Sequence, residues 1–174
     1  MLFKKIFPFI LYQTFYQEES ITLLKEHLLF VIYCLKHHYR SQYNLLVSIS
    51  GIDFLGNKYR FGIAYELLSL KFNNRIRLKI YLNEVSSVIS ITSQFINANW
   101  WEREVWDMFG IFFKKHPSLR RILTDYGFEG FPLRKDFPLS GYIELRYDTF
   151  KKKIIAEPLE LAQEYRFFSY ESQW

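Results

Sequence analysis

The apolar residues change their spacing once, between residues 38 and 45, and that switch limits the chain to folds that mix helix with sheet. Ile21, Leu24, Leu28, Val31, Ile32 and Leu35 recur every three or four residues up to His37 and His38, which is the stripe of an amphipathic helix. Ser20 stands at its start as an N-cap, so the spacing predicts a first helix over residues 20–38. From Leu45 the period is two: Leu45, Val47 and Ile49, then Tyr59, Phe61, Ile63, Tyr65 and Leu67, then Ile76, Leu78, Ile80 and Leu82. Three strands with one apolar face each are expected. Gly56-Asn57 predicts a two-residue type II′ turn between the first two, and Asn73-Asn74 marks the next turn. Arg75, Arg77 and Lys79 alternate with the apolar set of the third strand, so one sheet face is buried and the other is basic.

A second helix is signalled near Asn99, read as a cap with Glu102 three residues on closing a capping box. Trp101, Val105, Met108 and Phe109 share one side of it, and Gly110 sits where a helix stops in a left-handed cap. Residues 110–141 then hold most of the glycines and prolines and keep no period, a length of irregular chain that is uncommon unless it is functional. Tyr142 to Tyr147 and Ile154 to Ala156 suit a hairpin around Asp148-Thr149. The expected fold is α+β: a helix, a three- or four-stranded mostly antiparallel sheet, a second helix and a long extended C-terminal segment. The domain reading is a globular part over 1–109 and a partner-docking segment over 110–174.

At 174 residues, 49% hydrophobic and 24% charged, the chain is long and apolar enough for one globular core and is neither disordered nor coiled coil. Residues with A/T-rich codons (Phe, Tyr, Ile, Asn, Lys) make up well over a third of it, which fits an organellar gene. Lys4 and Lys5 precede an apolar run, but Pro8 interrupts it and no small-residue cleavage site follows. The start is therefore expected to belong to the mature chain. No transmembrane segment is expected, since the longest uncharged stretch, Val85 to Trp101, is rich in Ser, Thr, Asn and Gln.

Cys34 is the only cysteine, which excludes an internal disulfide, a cysteine-based zinc site and a cluster held by four thiolates. His27, His37, His38 and His116 have no metal-ligand spacing. There is no GxSxG, GxGxxG, HExxH or glycine-rich phosphate loop. Glu102, Glu104 and Asp107 form an acidic cluster. The simpler reading makes Glu102 a cap and Arg103 with Asp107 an i,i+4 pair, without catalysis. Lys114, Lys115, His116, Arg120 and Arg121 form a basic run among aromatics, the composition of an interface.

The stretch Glu102-Arg103-Glu104-Val105-Trp106-Asp107-Met108-Phe109-Gly110-Ile111, with His116-Pro117, Leu119-Arg120-Arg121-Ile122-Leu123, Thr124-Asp125-Tyr126-Gly127-Phe128 and Pro132-Leu133-Arg134-Lys135-Asp136-Phe137, closely resembles the NADH dehydrogenase subunit 9 family, the small hydrophilic peripheral-arm subunits of respiratory complex I. Ser118 and Phe131 depart from the Asp and His usual in that family. The resemblance implies a non-catalytic structural and assembly subunit of the proton-translocating NADH:ubiquinone oxidoreductase. Its partners would be other peripheral-arm subunits, chiefly the large quinone-site subunit. It also implies a place on the matrix side of the mitochondrial inner membrane and no flavin, iron–sulfur cluster or nucleotide bound by this chain. Glu102, Arg103, Glu104, Asp107, Gly110, His116, Arg120, Arg121, Asp125, Tyr126, Arg134 and Asp136 are then the signature and docking residues.

The alternative is an RNA-binding organellar ribosomal protein, because Arg75, Arg77, Lys79 and Tyr81 lie on one open strand face. That face lacks the paired aromatics of an RNA-recognition sheet, and the resemblance points away from nucleic acid.

Overall fold

A computed structural model describes residues 7, 10–15, 18–161, 163, 165, 166 and 168. The lysines and Pro8 of the N-terminal run, and most of the aromatic tail, lie outside the described residues. The architecture is α+β. A five-stranded sheet runs in the order β1 (Leu11–Phe15), β2 (Glu18–Thr22), β5 (Asn74–Leu82), β4 (Phe61–Ser69), β3 (Leu45–Asp53). Its pairs are antiparallel except β2 with β5, which are parallel.

The first helix is shorter than its spacing suggested. Residues 18–22 form β2, a 3₁₀ turn covers Lys25–His27, and α1 spans Leu28–His37. Ile21 matches the helical stripe by position but lies fully buried between β1 and β5, whereas Leu24 faces solvent. Pairing of Glu19–Thr22 with Ile76–Lys79 gives this backbone its partners in the sheet instead. Ser20 is thus no helix cap; its hydroxyl donates to the Gln13 carbonyl at 3.4 Å. Within α1 the buried residues are Leu28, Val31, Ile32 and Leu35, and they share one core with the apolar sheet residues.

In β5, Ile76, Leu78, Ile80 and Leu82 are all buried, as their alternation requires. In β3 a bulge between Leu46 and Ser48 shifts the register, so Leu46 and Ile49 face the core while Leu45 and Val47 are exposed. One extra residue on a strand reverses the facing of everything before it. The β3–β4 connection runs from Phe54 to Arg60, closed by the Phe54 N–H on the Arg60 carbonyl at 2.7 Å. It is longer than the two-residue turn expected at Gly56-Asn57. The basic sheet face is partly neutralised, since Arg77 pairs with Glu66 and with Glu18.

Helix α2 spans Ala98–Phe109 and ends at Gly110 in the left-handed conformation (φ 75°), as its sequence indicates. No side chain caps its start, so the expected capping box is absent; Asn97 instead donates to the Leu46 carbonyl at 2.9 Å. Two short strands, β6 (Val88–Ile89) and β7 (Phe113–Lys114), pair in parallel. By internal contacts the chain divides into two units, Met1–Asp136 and Phe137–Trp174, so residues 110–136 group with the sheet and helices. The second unit contains an antiparallel hairpin of β8 (Ile143–Asp148) and β9 (Lys153–Pro158). Among the described residues, no helix is long and apolar enough to cross a membrane.

Candidate functional site

Between Ile111 and Asp136 the backbone forms almost no ladder, so its polar groups need partners elsewhere. Helix α2 supplies them through its charged side chains. Asp107, fully buried, accepts the backbone N–H groups of Ile122, Leu123 and Thr124 at 3.2, 2.7 and 2.9 Å and the Thr124 hydroxyl at 2.7 Å. Burial alone would raise its pKa, but these four donors outweigh it and hold the carboxyl below its ordinary value.

Three arginines do the complementary work on carbonyls, for which the guanidinium fork with its five donors is suited. Arg103 donates to the Arg120 carbonyl at 2.9 Å and the Arg121 carbonyl at 3.4 Å. Arg121 donates to the Phe128 and Gly130 carbonyls, both at 2.9 Å. Arg134 donates to the Phe109 carbonyl at 2.7 Å, and the Leu133 N–H reaches the Met108 carbonyl at 3.2 Å. The C-terminal carbonyls of a helix lack intrahelical donors and attract cations, so this end of α2 is closed by the segment it supports. Arg103 and Asp107 do not form the i,i+4 pair expected of them, because each is committed to the irregular segment.

The ring of Phe131 lies 4.5 Å from the Arg134 guanidinium and 5.0 Å from that of Arg121, and meets Trp106 edge-on at 5.8 Å. Phe131 thus presents its ring to two cations. Gly110 is hemmed in here, since a Cβ on it would stand 2.6 Å from Arg134 Nη2 and 2.7 Å from Phe131 Cε2.

A second ionic cluster ties residues 134–136 to the β3–β4 connection. Asp53, buried at the end of β3, accepts from Arg60 Nε and Nη2 at 2.9 and 3.1 Å and from the Lys135 N–H at 2.9 Å. Arg60 also meets Asp136 at 2.8 Å, and Glu84 accepts from Arg134 at 3.0 Å. The Arg60 hydrogen bonds, with that from Lys135, hold Asp53 below its usual pKa against the effect of burial. Asp53, Arg60 and Glu84 were not singled out from sequence, because no local spacing links residues so far apart in the chain.

Glu102 sits on the other side of α2 with no solvent exposure. It accepts from the Ser90 hydroxyl at 2.6 Å and the Ile91 N–H at 2.7 Å, fastening the β6 strand to the helix. Burial pushes its pKa up to about 7, and those two hydrogen bonds pull it back only in part. His116 Nε2 lies 3.2 Å from the Asn99 carbonyl and 3.9 Å from Glu102, and its Nδ1 accepts the Ser118 N–H at 3.1 Å. A neutral ring protonated on Nε2 satisfies both hydrogen bonds, and burial lowers its pKa accordingly.

Glu102, Arg103, Asp107, Gly110, His116, Arg121 and Arg134 thus come together as fasteners around α2, while Asp136, exposed, joins Arg60 at the β3–β4 connection. Glu104 is half-buried beside Ile49–Gly51. Asp125 and Arg120 are exposed, and Tyr126 is wholly exposed. With Leu123, Leu133 and Phe112, which are also exposed, Tyr126 forms the outward side of the fastened segment.

The family model for the respiratory-chain NADH dehydrogenase 30 kDa subunit matches residues 21–143. A curated relative from Beta trigyna, NADH dehydrogenase (ubiquinone) iron-sulfur protein 3, is 54% identical over 84% of this chain and 77% of its own. Proteins of the same name from Solanum tuberosum and Arabidopsis thaliana are 52% and 53% identical over the same shares. A chain in the solved structure of the membrane-bound sulfane sulfur reductase, an archaeal respiratory membrane complex, superposes with a TM-score of 0.68 at 18% identity. That superposition covers 79% of this chain and 84% of that one, a likeness of fold. The relatives' name mentions iron and sulfur, but the donor set here does not fit a cluster. A cluster takes four protein ligands, at least two of them thiolates even where histidines supply the others, and this chain has Cys34 alone, half-buried, with its thiol pKa pushed up by burial.

Proposed function

The chain belongs to the respiratory-chain NADH dehydrogenase 30 kDa subunit family, and from that premise we propose that it is a non-catalytic scaffold of respiratory complex I, seated on the large quinone-site subunit of the peripheral arm. Other subunits of that complex are its partners, and the enzyme activity belongs to the assembly. The observation that carries the scaffold reading is the state of the signature charges. Asp107, Arg103 and Arg134 spend hydrogen bonds on backbone groups of residues 109–124, a structural use that supports the reading. Electron transfer depends on fixed separations between centres, so a rigid subunit that keeps its neighbours in register serves the reaction without touching a substrate. The exposed side of the fastened segment, with Arg120, Leu123, Asp125 and Tyr126, is then the surface offered to the large subunit. We place the chain peripherally on the matrix side of the mitochondrial inner membrane; the plant relatives' respiratory-chain name agrees with a mitochondrial setting, and among the described residues no helix is long and apolar enough to cross a membrane.

The test is purification of the tagged full-length chain from membranes in mild detergent. Recovery with NADH:ubiquinone oxidoreductase activity and the large quinone-site subunit is expected. Recovery with ribosomal RNA in their place would contradict it.

A further inference from the structure

Helix α2 and strand β3 leave a small cleft between them, of about 210 Å³, lined by Trp101, Glu104, Met108 and Phe109 from the helix and residues 49–51 from the strand. Gly51 shapes it by having no side chain. The Phe109 ring lies against that position, where a Cβ would stand 2.6 Å from Phe109 Cδ2. Ile49 and Val105, both 2% exposed, belong to the core beneath, and Trp101 and Phe109 are half-buried against that core. Residues three and four apart share one side of a helix, so Trp101, Glu104 and Met108 project together. The cleft is thus aromatic and apolar, with one carboxylate in its wall.

That carboxylate has no counter-ion within the chain. Glu102 and Asp107, the other acids of α2, each accept hydrogen bonds, whereas among the described residues no donor or cation meets Glu104, which is half-buried. The helix positions that could bring a cation to it, three and four residues away on either side, hold Trp100, Trp101, Asp107 and Met108. Arg103 beside it points to the Arg120 and Arg121 carbonyls. A carboxylate partly out of water is unfavourable until a cation meets it. The walls select the kind of cation. A guanidinium is flat, stacks on aromatic faces and binds a carboxylate through two parallel N–H groups, whereas an ammonium is a strongly hydrated point charge. Two aromatic rings beside the acid therefore favour arginine over lysine. Small-molecule sites run to roughly 300–1,000 Å³, so this smaller cleft suits one inserted side chain better than a whole free ligand.

We infer that the α2–β3 cleft receives the guanidinium of an arginine carried by a neighbouring polypeptide, with Glu104 as its counter-ion and the Trp101 and Phe109 rings beside it. This rests on the subunit reading above, since an assembled neighbour supplies the arginine.

The test uses the full chain in the assembled respiratory complex, beside Glu104→Gln and Glu26→Gln, the second of which removes an exposed charge outside the cleft. A structure of the wild-type complex that resolves side chains should show a guanidinium nitrogen about 2.7–2.9 Å from a Glu104 oxygen. Glu104→Gln should leave the unfolding midpoint of the free chain no lower than wild type and reduce incorporation into the complex at least tenfold. Glu26→Gln should incorporate as wild type. If the chain is in the complex but the cleft holds an ammonium, an apolar side chain or solvent, the inference fails and the subunit reading stands. The same holds if Glu104→Gln incorporates normally, if both variants lose incorporation alike, or if Glu104→Gln lowers the midpoint and so marks a purely internal role. Absence of the wild-type chain from the complex would sink both readings. Agmatine, a small free guanidine, is titrated into the free chain and followed at the Trp101 indole N–H resonance. Saturation only in the millimolar range or above is expected; saturation at micromolar agmatine would assign the cleft to a free ligand and overturn the inference.

Discussion

The carboxylate of Asp107 accepts the backbone N–H of Leu123 at 2.7 Å, across sixteen residues of chain. One α2 side chain thereby replaces the ladder that residues 122–124 lack. Asp107→Ala orphans three N–H groups and a hydroxyl that are part-buried; a sealed unmet donor costs about 1–3 kcal/mol, and water that reaches these groups cuts that figure. We expect the variant to lose roughly 3 kcal/mol of unfolding free energy and the slow amide exchange of residues 122–124, measured by denaturant titration and hydrogen exchange.

Gly110 and Gly127 both have positive φ, 75° and 73°, but only Gly110 is crowded. Gly127→Ala should therefore cost only the left-handed backbone term of about 1–2 kcal/mol. Gly110→Ala must also displace Arg134 and Phe131, so its loss of thermal stability should be at least twice as large. Equal losses would mean that the Arg134–Phe131 stack does not press on the helix end.

The pH dependence of stability follows from Glu102 and His116. Glu102 has a folded pKa near 7, above its unfolded value of 4.5, so its contribution is full below pH 4.5 and is lost as pH rises toward 7. His116 has a lowered folded pKa; its contribution is present above about pH 6.5 and is lost as pH falls. The two slopes oppose each other in the native chain. Glu102→Gln keeps the shape of the protonated acid and removes the first slope. Against wild type, it should be near neutral at pH 4.5 and gain about 3 kcal/mol by pH 8, at roughly 1.4 kcal/mol per pKa unit. Unfolding titrations of both proteins across that range check the sign.

Much of the fold is legible because it is encoded locally. The alternation in β5, the stop at Gly110 and the β8–β9 hairpin each follow from residues within a few positions of one another. Local signals also misled where two patterns coincide. Ile21 sits at a helical interval from Leu24 and Leu28, yet it belongs to a strand whose partner is more than fifty residues away. The Leu46–Ser48 bulge leaves no mark on composition. At the site, the residue types were visible in the run from Glu102 to Asp136, whereas their partners were not. Glu102 suggested a cap and binds Ser90 and Ile91; Arg103 and Asp107 suggested each other and bind residues 120–124. Asp53 and Arg60 meet Lys135 and Asp136 only once the sheet has formed.

The scaffold reading is tested most directly by Arg134→Ala in the intact enzyme, scored for the amount of assembled complex and for NADH:ubiquinone turnover per assembled complex. Arg134 holds the end of α2 through the Phe109 carbonyl and bridges to Glu84, so its loss should lower the stability of this chain and with it the yield of complex. Turnover in the complexes that do form should match wild type. Normal assembly with turnover abolished would place Arg134 in the chemistry and contradict the account.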